Sequence, residues 1–95
     1  MVATLRVDVF DWDEGNADHI AEHGVSPEEA EEAMVDPRRR GAPAYNVEGE
    51  RRRAMIGATD DRRVLYPVYA LRHGRIRVLS ARDATRLERQ RYRGR

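Results

Sequence analysis

The stretch AYNVEGERRRAMIGATDDRRVLYPVYALRHGRIRVLS, residues 44–80, decides the fold. Apolar and polar residues alternate through it, and turn signals at Glu48-Gly49, Asp60-Asp61 and His73-Gly74 cut it into four pieces. Alternation with period two marks half-buried strands, and turns this short join antiparallel neighbours. Strands are therefore expected over residues 44–48, 51–58, 63–72 and 75–80. Pro67 cannot donate to a ladder, so its strand is expected at an edge or with a bulge there.

Working outward, residues 5–12 alternate in the same way and predict a further strand. Asp13 can cap a helix that begins near Glu14, places Ala17, Ile20 and Ala21 on one face, and ends at Gly24. Ser26-Pro27-Glu28-Glu29 opens a second helix with a capping box and a first-turn proline. Ala30, Ala33 and Met34 form its buried stripe, and Asp36-Pro37 stops it. Residues Arg38–Pro43 read as a mobile link. After the strands, Ser80 is expected to cap a last helix over residues 81–92. The order β-α-α-β-β-β-β-α predicts an α+β fold: an antiparallel sheet of about four to five strands, two N-terminal helices and one C-terminal helix. A single domain over residues 1–95 accommodates it.

Composition narrows the chemistry. The 95 residues are 40% hydrophobic and 37% charged, which predicts a thin core under a charged surface. No cysteine is present, which excludes disulfides, thiolate metal sites and a cysteine nucleophile. No apolar run resembles a signal peptide or a membrane span, so a cytoplasmic protein without membrane contact is expected. Charge is strongly segregated. Residues 1–36 hold eleven Asp/Glu and one Arg, whereas residues 37–95 hold seventeen Arg and six Asp/Glu, and lysine is absent. The basic part is suited to an anionic partner such as nucleic acid, although packing beside the acidic part would also neutralise it.

Three groups of residues stand out. On the expected last helix, Arg82, Arg86, Arg89 and Arg93 recur at three- and four-residue spacing, with Ala84 and Leu87 toward the core and Glu88 and Tyr92 on a third face. Four guanidiniums in a row favour RNA phosphates or an acidic partner, or form a solvated basic face. Arg52 shares a strand face with Ala54 and Ile56, and Arg77 alternates with Ile76 and Val78; arginines so placed need a partner, for Arg77 Asp83 or Glu88, or a function. His19, Glu22 and His23 match an inverted zincin pattern, but no third ligand is evident, so no metal and no cofactor is expected.

Several segments together resemble the BrnT toxin family. They are Phe10-x-Trp12-Asp13, His23-Gly24-Val25-Ser26-x-Glu28-Glu29-Ala30, and Gly49-Glu50-x-Arg52 through Ile56-Gly57-x-Thr59. The last is Arg77-x-x-Ser80-Ala81-Arg82-x-Ala84-x-x-x-Glu88-Arg89-x-x-Tyr92. The resemblance implies a RelE-like fold, metal-independent ribonuclease activity, and silencing by a BrnA antitoxin. That antitoxin carries a ribbon-helix-helix part, so DNA is reached only through it. The matching site positions are Arg52 and Arg82 for the phosphate, Arg77 as a weaker addition, and His23 for proton transfer. Glu88 would orient an arginine or act as base. Tyr92 would bond the substrate or anchor the last helix, and Arg86, Arg89 and Arg93 would bind RNA. Two departures stand against the pattern. Glu22 occupies the place of the family's lysine, and the first helix is one residue shorter. They leave open a non-catalytic module that binds an antitoxin or nucleic acid.

Overall fold

The computed structural model describes residues 9–94. Two helices come first, α1 (Glu14–Ala21) and α2 (Pro27–Met34). Four strands follow, β1 (Arg40–Ala42), β2 (Arg53–Ala58), β3 (Val64–Arg72) and β4 (Arg75–Asp83). A last helix, α3 (Arg86–Arg93), closes the chain. The sheet is an antiparallel meander in the order β1-β2-β3-β4. Of the strand expected over residues 5–12, residues 5–8 lie outside the described part. Within it, Phe10 makes one parallel bridge to Ile76, and the Asp11 N–H donates to the Ile76 carbonyl at 2.8 Å.

Both N-terminal helices open on reciprocal caps. The Asp13 carboxylate takes the Asn16 N–H while the Asn16 side chain takes that of Asp13, and Ser26 and Glu29 do the same for α2. Asn16 and Ile20, rather than the expected Ala17–Ile20–Ala21 face, are the buried residues of α1. The Asn16 amide explains the shift, because it donates to the carbonyls of Asp11 and Val78 and ties the helix to β4. In α2 the buried residues are Ala30, Ala33 and Met34. There the helix meets the sheet closely. A Cβ on Gly57 of β2 would lie 2.0 Å from the Ala33 carbonyl oxygen.

The strands depart from expectation in three places. Residues 44–48 form no strand; Val47 alone bridges Glu50, across a turn in which Glu48 and Gly49 both have positive φ. The strand lies earlier instead, within the stretch read as a mobile link, where Arg40, Gly41 and Ala42 pair with Ile56, Met55 and Ala54. Pro43 lacks an N–H and ends that pairing. Secondly, Pro67 is on a central strand. The β2–β3 ladder pairs Ala54 with Val68 and Gly57 with Leu65, and Pro67 lies in the gap between them, where it has no N–H to give. The expected bulge is present one residue on, where Val68 faces Ser80 but Tyr69 faces Val78.

Thirdly, β4 runs to Asp83, so the last helix begins at Arg86, capped by Thr85 and not by Ser80. The bulge makes this extension useful. Leu79 is the extra residue, and it lets Val78 and Ala81 both join the core beneath α1 and α2. Ser80 and Arg82 then face the other side. On that side Ala54, Ile56, Val64, Tyr66 and Ala84 form a smaller cluster, against which Tyr92 of α3 packs. No residue of α3 is fully buried, and Leu87, expected toward the core, is 71% exposed. The helix therefore roofs only part of this face.

Candidate functional site

The uncovered part of that face is a hollow of about 320 Å³ lined by Arg82, Tyr66, Ser80 and Val68 from the sheet, by Arg52 just ahead of it, and by Pro43, Ala44, Tyr45 and Val47. Arg52 precedes β2, and Arg82 stands directly opposite Tyr66 in the β3–β4 ladder. Two guanidiniums thus reach one concavity from two parts of the sheet, although Arg82 comes from a strand and not from the last helix. The stripe expected on that helix loses its first member for the same reason.

Arg82 is held on three sides. It forks onto Glu88, with Nη1 to Oε1 at 2.8 Å and Nη2 to Oε2 at 3.0 Å. Its Nη1 also donates to the Asp83 carbonyl, and its guanidinium lies 4.4 Å from the centre of the Tyr66 ring. The hydrogen bond to Glu88 raises the Arg82 pKa further, and Arg82 in turn, with the Thr85 N–H, holds the Glu88 carboxyl below the ordinary glutamate range. Burial, reinforced by Glu88, raises the Tyr66 phenol. Tyr66 remains an O–H donor and bonds the Pro43 carbonyl. Arg52 differs. Its Nε is buried and, among the described residues, has no hydrogen-bond partner. A buried donor left open costs about 1–3 kcal/mol unless something arrives to accept from it. An arginine that lines a hollow with an open donor is suited to an anion.

The other expected residues lie elsewhere. Arg77 is bound to Asp13 and Asp11 at 3.1 and 3.5 Å, neither of them the partner expected, and does not line the hollow. Asp13 raises its pKa, and Arg77 lowers that of Asp13. His23 is exposed just after α1, its ring 6.3 Å from that of His19, and is absent from the hollow. Among the described residues no three His, Asp or Glu side chains gather so as to hold a metal ion. Arg86 is exposed, and Arg89 is partly used on the Ala84 carbonyl at 2.8 Å. Tyr92 and Arg93 line a second hollow of about 630 Å³ with Asp36, Arg38 and Arg62. In it the Tyr92 hydroxyl donates to Asp36, which also accepts from the Ala58 and Arg38 N–H groups at 2.9 Å. Burial and Asp36 both raise the Tyr92 phenol. Though larger, this hollow has its central carboxylate and phenol already satisfied, and it lacks both motif arginines.

Sequence reasoning missed Tyr66, Ser80 and Tyr45. Ser80 was taken for a helix cap, although Thr85-x-x-Glu88 was the better capping box. Tyr66 follows from pairing β3 with β4, which requires knowing that β4 continues through Arg82.

No curated protein is recognisably similar to the chain. A family model described as the ribonuclease toxin BrnT of type II toxin–antitoxin systems matches residues 12–88, a span that includes Arg52, Tyr66, Arg82 and Glu88. The chain therefore belongs to the BrnT family of type II toxin–antitoxin ribonuclease toxins.

Proposed function

We propose that this protein is a RelE-like endoribonuclease toxin whose active site is the hollow between Arg52 and Arg82. One observation carries the reading: a buried Arg52 Nε without a hydrogen-bond partner among the described residues, on a residue that lines the same hollow as a second guanidinium already fixed in orientation. RNA brings its own nucleophile, so the reaction needs no metal. The 2′-oxygen bonds to phosphorus while the bond from phosphorus to the 5′-oxygen breaks. The 2′-hydroxyl proton leaves to water or a carboxylate, and the departing 5′-oxygen takes one up. Charge grows on the non-bridging oxygens meanwhile, and two preorganised arginines stabilise it. Glu88 acts as a positioning residue for Arg82. Arg86 and Arg89 extend the contact along the RNA backbone.

The silencing partner in this reading is an antitoxin of the BrnA ribbon-helix-helix kind, and the pair operates in the cytoplasm. Purified protein incubated with RNA and a chelator is expected to give products ending in 2′,3′-cyclic phosphate and 5′-hydroxyl. Loss of cleavage with chelator would overturn the metal-independent mechanism. A non-catalytic module is favoured by one feature, the neutralisation of Arg82 by Glu88; RNA that binds and is never cut would establish it.

A further inference from the structure

The protein has six aromatic side chains, and five are already occupied. Phe10 is buried. Trp12 and Tyr69 pack against the core under α1 and α2, and the Trp12 Nε1 donates to Glu31 at 2.7 Å. Tyr92 packs on the opposite cluster and bonds Asp36. The Tyr66 ring is buried and covered by Arg82. Among the described residues only Tyr45 keeps its ring open. It is 83% exposed and forms part of the wall of the hollow that Arg52 and Arg82 share.

Its stem is anchored on both sides. Two residues earlier the Pro43 carbonyl accepts from the Tyr66 hydroxyl, and two residues later Val47 exchanges hydrogen bonds of 3.0 and 2.9 Å with Glu50. An aromatic ring on an anchored stem loses little freedom when a flat ligand covers it. Phosphate is the only charge-bearing group that recurs along RNA, and each phosphate has a base within one nucleotide of it. Base–aromatic stacking tolerates any sequence, because every base has a π-face.

We propose that Tyr45 is a nucleobase shelf: an unpaired base next to the phosphate held by Arg52 and Arg82 stacks on its ring. The site thereby selects single-stranded RNA, since a base inside a duplex has both faces covered by its neighbours. This rests on the ribonuclease reading above and adds a base subsite to it.

The test is binding of an end-labelled, fully 2′-O-methylated single-stranded RNA, which cannot be cut, compared with a baseless chain of the same length. Fluorescence anisotropy is read for wild type, Tyr45→Ala and Tyr45→Trp, with circular dichroism to check folding. Wild type is expected to prefer the base-bearing strand. Tyr45→Ala is expected to bind it about tenfold more weakly and to lose the preference, whereas Tyr45→Trp keeps both. If Tyr45→Ala binds the base-bearing strand like wild type, or still prefers it by the same factor, the shelf is refuted while the ribonuclease reading stands. If wild type binds neither strand, both fall.

Discussion

Arg52 and Arg82 reach the same hollow in different electrostatic states. Arg82 arrives with its counter-charge, forked onto Glu88 and flattened against Tyr66, whereas the Arg52 Nε is buried and has no hydrogen-bond partner among the described residues. In the proposed site the pair would divide the work of holding a phosphate, with one group oriented in advance and the other open to an acceptor. Both positions were legible in the sequence, though only through their places in a family motif; composition alone offered eighteen arginines without distinction. His23 was drawn from the same motif, and the fold leaves it exposed beyond α1. Replacing His23 by Gln is therefore expected to leave RNA cleavage within a few-fold of wild type. Removing a general acid or base costs about 10²–10⁴ in rate, and a drop of that size would put the histidine back into the chemistry.

Among the elements, those with local signals were readable. The Asp13 N-cap located α1 and the capping box at Ser26 located α2, and the Glu48-Gly49 and His73-Gly74 pairs, all at positive φ, turned where expected. What escaped was set by tertiary contact. The Arg-Gly-Ala strand β1 has no alternating pattern because it is a three-residue edge, held by β2 alone. The bulge at Leu79 is signalled only by Pro67 on the facing strand, and β4 runs three residues farther than its alternation suggested, which moves Arg82 from helix to strand. Two substitutions test these elements. Gly57→Ala drives a methyl group into the Ala33 carbonyl, and urea unfolding should show a loss of about 3 kcal/mol; an unchanged midpoint would mean that α2 and β2 are not in such close contact. Thr85→Ala removes the N-cap of α3 and should cost about 1 kcal/mol while also loosening Glu88, whose carboxylate completes the capping box. Ser80→Ala should leave helix stability untouched. A larger effect for Ser80 than for Thr85 would restore the earlier helix start.

Across the whole molecule the acidic and basic parts of the chain neutralise each other only in part. Arg63 joins Glu29 to Asp83, and Arg77 reaches Asp11 and Asp13, which ties the first helices to the sheet. In the proposed function Arg52 and exposed arginines of α3 such as Arg86 would meet an outside anion. Hydrogen bonds and neighbouring arginines hold the carboxyls of Asp13, Glu29, Glu50, Asp83 and Glu88 below their ordinary values. Asp36 is also lowered; burial opposes this, but the bonds from Tyr92, Arg38 and Ala58 prevail. Groups depressed on folding contribute stability that is complete above their unfolded values and is lost as pH falls through the folded ones. The melting temperature should therefore be flat from neutrality to about pH 5 and fall steadily below about pH 4. Salt should shrink the effect in part, because these pairs are partly exposed. A melting temperature that rises on acidification would contradict the assigned pairings.

The most direct test of the hollow as a catalytic centre is the single-turnover rate of RNA cleavage by Arg52→Ala beside that of wild type, with thermal unfolding compared for both proteins. The Arg52 Nε has no hydrogen-bond partner among the described residues, so its removal should leave the melting temperature within a few degrees. The expected rate falls by about 10²–10³, the loss typical of one preorganised donor to a developing anion. Cleavage at the wild-type rate by the folded variant would show that the phosphate is held elsewhere.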